Sequence, residues 1–166
     1  MGLDDTRVSP LVQADTPTTR CRFYRQSCGL PAIVQPELGG RIIVPAGSVG
    51  AITMPMRLGG AVKSRMQSQG VRLGPIVSHP RSKRWTFIVV PDVPDETTLF
   101  AELFRLNVSV SRVGAQIALP SPVARSAGFR VWVTPPRDEF RPSGMAVVEA
   151  IRNCDGPASR RAAVHA

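Results

Sequence analysis

Short apolar runs, each closed by proline or glycine, constrain this chain more than any other feature. Arg41-Ile42-Ile43-Val44 stops at Pro45, Trp85-Thr86-Phe87-Ile88-Val89-Val90 at Pro91, and Gln116-Ile117-Ala118-Leu119 at Pro120. Proline gives no amide to a sheet ladder and fixes φ, so such punctuation favours short strands joined by turns and disfavours a helical bundle. The chain carries sixteen Pro and fourteen Gly in 166 residues. Hydrophobic residues make up 43%, enough to build one core, which argues against a wholly disordered chain. No run approaches the ~18 apolar residues of a membrane span. No charged segment leads into an apolar one after Met1, so no secretory signal is expected and a cytoplasmic location is.

Periodicity places the elements. Arg41–Pro45 and Val49–Met54 flank the small-residue turn Ala46-Gly47-Ser48 and predict a hairpin. Leu58, Ala61, Val62, Arg65 and Met66 recur at helical spacing within Met56–Gln69, and Gly70 supplies a helix stop. Gly74–His79 predicts a short strand, Pro80–Lys83 a turn, and Trp85–Val90 a central strand, because its run is continuous and β-branched. Asp95 and Glu96 open a second helix through Leu99, Phe100, Leu103, Phe104 and Leu106, with acids where the helix dipole favours them. Val108–Arg112, Gln116–Leu119 and Phe129–Val133 are further strands, and a third helix begins near Pro142-Ser143. The expected fold is α+β, a mostly antiparallel sheet with three helices on one face and the other face open for binding. One domain is expected over 21–154, between a disordered N-terminal tail (1–20) and a flexible C-terminal tail (155–166).

Charge is distributed unevenly. There are 21 Lys+Arg against 12 Asp+Glu, a formal charge of +9, and only Lys63 and Lys83 are lysines. Arginine suits bidentate contacts to phosphate and base edges; codon usage in a GC-rich genome produces the same bias. Leu38–Pro91 contains no acidic residue but holds Arg41, Arg57, Lys63, Arg65, Arg72, Arg81, Lys83 and Arg84. Folded together, these would create a positive field that attracts polyanions, or a solvated surface that keeps the chain soluble.

Signatures of catalysis are sparse. Cys21, Cys28 and Cys154 with His79 and His165 fit no common zinc spacing, so reduced thiols are expected, with a Cys21–Cys28 disulfide as the lesser alternative. Met1-Gly2 with Thr6 matches an acylation pattern by form only. No nucleophile elbow and no phosphate loop are present. Asp92, Asp95 and Glu96, or Asp138 and Glu139, are the candidates to hold a catalytic metal, and the two groups read more simply as a loop with helix cap and a solvated cluster.

The most distinctive segment is Ser78-His79-Pro80-Arg81-Ser82-Lys83-Arg84-Trp85. Its cations could hold phosphates while His79 or Trp85 stacks on a base; equally, Trp85 could be a core residue beside a basic turn. From Ser78 to Pro135 the chain resembles the N-terminal domain of bacterial bifunctional DNA primase–polymerases, the prim-pol group, and small stand-alone actinobacterial proteins of that type. The resemblance rests on Arg81–Phe87 where the family has a Ser-Gly-x-Gly-x-His-like turn, on Val113–Pro122 where it has Gly-Gly-x-x-Val-x-x-Pro-Pro-Ser, and on Phe129-Arg130-Val131-Trp132-Val133 where it has an aromatic-rich strand. It covers about a third of the chain and implies a prim-pol or RRM-like α+β fold. The family's paired catalytic acids have no counterpart, its motif histidine falls at Trp85 or a neighbour, and its later single Asp is not evident. What the resemblance implies is therefore a degenerate, non-catalytic domain without cofactor, binding nucleic acid (DNA ahead of RNA) or a nucleotide. The expected site is Arg57, Lys63, Arg65, Arg72, His79, Arg81, Lys83, Arg84 and Trp85. A protein–protein interaction module and a residual metal-dependent nucleotidyltransferase are the alternatives.

Overall fold

The computed structural model describes residues 14–123 and 129–155. The first helix, α1 (Pro17–Ser27), starts at a capping box: the Thr16 hydroxyl accepts from the Thr19 amide at 3.2 Å and the Thr19 hydroxyl from the Thr16 amide at 2.8 Å. Pro17 occupies the first helical position, where its missing amide costs nothing. This fourth helix corrects the expected count of three and begins inside the segment expected to be tail. Residues 1–13 and 156–166 of the expected tails, and with them the Gly2/Thr6 acylation match, lie outside the described residues.

The chain continues through β1 (Ile33–Gln35), a short 3-10 turn (Pro36–Leu38), β2 (Arg41–Pro45), β3 (Gly50–Pro55), α2 (Met56–Ser68), β4 (Ile76–His79) and β5 (Arg84–Val89). It then forms α3 (Thr97–Arg105), β6 (Ser109–Val110), β7 (Gln116–Leu119), β8 (Val131–Thr134) and α4 (Gly144–Cys154). All strand pairings are antiparallel and they build two sheets, one ordered β1-β2-β7 and the other β6-β3-β5-β4-β8. The α+β expectation holds, and β5 is the central strand. The expected hairpin of β2 with β3 does not form: β2 pairs with β1 and β7, and β3 with β5 and β6. The turn between them carries the chain from one sheet to the other.

Two cores result. On one face of the five-stranded sheet, Ile52, Met54, Ile76, Phe87 and Val89 pack against Val62 and Met66 of α2, Leu99 and Leu103 of α3, and Val147, Val148 and Ile151 of α4. On the other face, Ala51, Val77 and Ile88 meet Ile42, Val44, Ile117 and Leu119 of the three-stranded sheet, Cys21 and Tyr24 of α1, and Cys28 at its C-cap. The face expected to be open is therefore covered, because the apolar alternation of β2 and β7 requires a partner layer. Tyr24 joins the layers: its hydroxyl donates to the Pro120 carbonyl at 2.8 Å and accepts from Trp132 Nε1 at 3.1 Å.

Candidate functional site: the basic end of the inter-sheet cleft

Polar residues interrupt the apolar packing at one end of the space between the sheets. Alternation along β3 and β5 turns Thr53 and Thr86 toward that space, beside Ala51 and Ile88. Their hydroxyls are 2.9 Å apart, and His79 Nε2 lies 2.9 Å from Thr86 Oγ1. Thr53, Thr86 and His79, with Ser111 and Gln116, line a cleft of about 200 Å³. Burial, and then the charges of Arg130 and Arg84, hold His79 below the ordinary imidazole value.

The turn joining β4 to β5 follows directly from His79 of this cleft. It spans Pro80–Lys83 between the cross-strand partners His79 and Arg84, and Lys83 closes it with φ +53°. Arg81 stacks its guanidinium 3.7 Å from the Phe129 ring centroid. Arg84 Nη2 donates to the carbonyls of Thr53 at 3.2 Å and Asn107 at 2.9 Å. Asn107 itself ends α3 with φ +58°, so its carbonyl is presented by a left-handed cap. The Met56 amide donates to the Lys83 carbonyl at 2.9 Å, which sets the first turn of α2, carrying exposed Arg57, beside the β4–β5 turn.

His79, Arg81, Lys83 and Arg84 thus lie on one turn and its two flanking strand ends, and Arg57 lies in the helix turn whose Met56 amide bonds to Lys83. The structure does not bring in the other expected site residues. Lys63 and Arg65 ride on α2, which packs on the opposite face of the five-stranded sheet. Arg72 pairs with Asp138 and lies 4.2 Å from the Phe140 ring centroid. Trp85 is a core side chain on the helix-covered face, packed so closely on Gly59 that a Cβ there would fall 2.8 Å from its Cε3. The residues not anticipated are Thr53, Thr86, Arg130 and Phe129. A signal existed for two of them, since a threonine in each of two apolar strands marks one face at a period of two.

One acid of each group has a structural duty. Asp92 caps α4, its Oδ2 accepting from the Ser143 hydroxyl and its Oδ1 from the Met145 amide at 3.0 Å. Asp138 accepts from Arg72 and from the Phe140 amide at 2.9 Å. Among the described residues, no three His, Cys, Asp or Glu side chains gather to hold a metal. The three cysteines are free; burial raises each thiol, and Cys21 and Cys28 lie in the α1 core. No helix among the described residues is long and apolar enough to cross a membrane. No family model matches the chain, and no curated protein or solved structure shows significant similarity to it.

Proposed function

We propose that this chain is a non-catalytic nucleic-acid- or nucleotide-binding domain of degenerate prim-pol type, and that it binds at the basic end of the inter-sheet cleft. The observation supporting this reading is that Arg81, Lys83 and Arg84 sit in or beside the β4–β5 turn, with Arg57 in the helix turn bonded to it, and that, among the described residues, none of the four pairs with a carboxylate. Cations left without local acids are available to displace the counterions of a polyanion. The Arg81–Phe129 stack adds a flat platform of the kind single-stranded bases use. The absence of acidic residues from Leu38–Pro91 removes the carboxylates that two-metal phosphoryl transfer would need on β3.

The test is fluorescence anisotropy of labelled single-stranded and duplex DNA across a salt series. Engagement of all four cations predicts a log–log slope of roughly −3 to −4, and the Arg81→Glu, Lys83→Glu double variant should make it shallower by about 2. No binding at low ionic strength overturns the reading.

A protein-interaction module is the second reading, favoured by one observation. A groove of about 400 Å³ between β3, β6 and α3 is lined by Val89, Pro91, Phe100 and Val110. Val113, which also lines it, is 89% exposed, and Phe104 on α3 is 82% exposed. Loss of a co-purifying protein in a Phe104→Glu, Val113→Glu variant, unaffected by nuclease, would favour it over nucleic-acid binding.

A further inference from the structure

Helix α3 carries two apolar rows, and the fold uses only one of them. Leu99 and Leu103, one turn apart, are buried in the helical core. Phe100 and Phe104 form the next row, about 100° further round the helix. Phe100 is half-buried and walls the groove of about 400 Å³ that Val89, Pro91, Val110 and Val113 also line. Phe104, one turn along the same row, is 82% exposed. A protruding aromatic ring thus stands roughly 6 Å along the helix from an apolar groove of the same molecule. The groove is open because β6 covers β3 for only two residues, at Ile52–Val110 and Thr53–Ser109. The Ser111 amide still donates to the Ala51 carbonyl at 2.9 Å, but Gly50 and Ala51 then line the groove with no strand beside them on that side.

Charge restricts what this face accepts. The chain as a whole carries +9, so two copies meeting at an average part of its surface repel. Around the groove the balance is even. Asp95 and Arg112 line it, Glu96 heads the Phe100–Phe104 row as the N-cap of α3, and Arg105 follows Phe104. Among the described residues none of these four forms an ion pair. A strongly acidic or strongly basic partner meets as many like charges here as opposite ones. A second copy brings two acids and two arginines to match, together with the ring that the groove lacks and the groove that the ring lacks.

We propose that this face is a two-fold interface between two copies of the chain, each seating Phe104 in the groove of the other. Because ring and groove share one face, the exchange is reciprocal and closes at two copies. Arg105, next to the seated ring, is brought toward the partner's Asp95 on the groove wall. Each seated ring buries roughly 150–250 Å². With the flanking valines this makes a small interface, and the dimer should dissociate in roughly the micromolar range. The inference names the partner for the interaction reading of this groove and rests on that reading. It is independent of DNA binding at Arg81 and Lys83.

The test is sedimentation velocity of the nuclease-treated full chain over roughly 1–200 μM, a range that brackets micromolar dissociation. A reversible monomer–dimer equilibrium with no larger species is expected. It should persist in about 0.5 M sodium chloride, where contacts between exposed charges are screened and apolar ones are not. Phe104→Glu should weaken dimerisation at least about tenfold. The same variant should melt as the wild-type monomer does, because an 82% exposed side chain contributes little to the fold. Leu38→Glu, at a 54% exposed leucine between β1 and β2, should dimerise as wild type does, and so should the Arg81→Glu, Lys83→Glu variant. A chain that stays monomeric over the whole range overturns the proposal. If that monomer holds a different protein through Phe104 and Val113, the interaction reading outlives it; if it holds none, both fall. Dimerisation unchanged in Phe104→Glu also overturns the proposal, and association that runs past two copies overturns the reciprocal exchange. Should Phe104→Glu fail to fold, Phe104→Ala carries the same expectation without the added charge.

Discussion

His79 is half-buried, bonded through Nε2 to Thr86, and faced by Arg84 and Arg130. Its folded pKa lies below the unfolded value of about 6.5, so the unfolded chain takes up the proton first. Stability is then complete above that value and is lost as pH falls through it toward the folded pKa. Melting curves between pH 7.5 and 5 should show wild type losing stability more steeply than His79→Asn, and parallel curves would refute this. Gly59 makes a second prediction at this scale. Alanine normally favours a helix over glycine by about 1 kcal/mol. Here the added methyl would meet Trp85 Cε3 at 2.8 Å and Trp85 Cβ at 3.1 Å, so Gly59→Ala should destabilise by about 1–3 kcal/mol in urea unfolding. The Gly59-Gly60 pair looks in the sequence like a weak point of the helix. What it cannot reveal is that the first glycine is the floor under Trp85, because that contact joins residues 26 apart across a sheet and a helix. For the same reason Trp85 could be read as a stacking platform: its aromatic character is local, and its direction depends on which face of β5 the helices cover.

Elements were legible where the signal is local, and pairing was not. The strand at Trp85–Val90, the helix stopping at Gly70 and the helix starting at Ser143 all carry their own boundary chemistry. Gly70 adopts φ +70° and the Val71 amide donates to the Met66 carbonyl at 2.9 Å, closing α2. The β2–β3 hairpin failed as an expectation because two β-rich runs around a short turn specify strands without specifying partners. Each strand found a longer-range neighbour whose apolar face matched its own. Helix α1 escaped notice because its buried stripe is only Cys21 and Tyr24, continued by Cys28 at the C-cap, in a mostly polar segment. Thr16 through Thr19 did carry a capping signal, though with Thr rather than Glu at the third position. Asp92 offers the test proper to this scale. If its carboxylate serves α4 as a cap, Asp92→Ala should cost about 1–2 kcal/mol in urea unfolding, equally with and without Mg²⁺. A loss that appears only with the metal present would revive a catalytic role for the Asp92 group.

At the scale of the whole molecule, the five-stranded sheet is shared by both cores. β5 gives Phe87 and Val89 to the helical side and Ile88 to the sheet side, so neither core can be dismantled without exposing the other face of the same strand. The charged cleft lies within the second core and depends on the sheets being held at a fixed separation. Tyr24 is the side chain that spans them, with Trp132 in an edge-on ring contact at 5.8 Å and the Pro120 carbonyl on its hydroxyl. Tyr24→Phe keeps the ring, its burial and the edge-on contact, and removes only the hydroxyl. The Trp132 Nε1–H and the Pro120 carbonyl then lose their partner in a buried setting, at a cost of about 1–3 kcal/mol. Because the sheet is common to both cores, that loss should shift a single urea transition to lower denaturant without changing its slope. A biphasic transition in Tyr24→Phe would mean that the three-stranded sheet and α1 separate from the rest as their own unit. The cleft, with Thr53, His79 and Thr86 on one sheet and Gln116 and Ile117 on the other, would then be a boundary between two folding units rather than a feature of one.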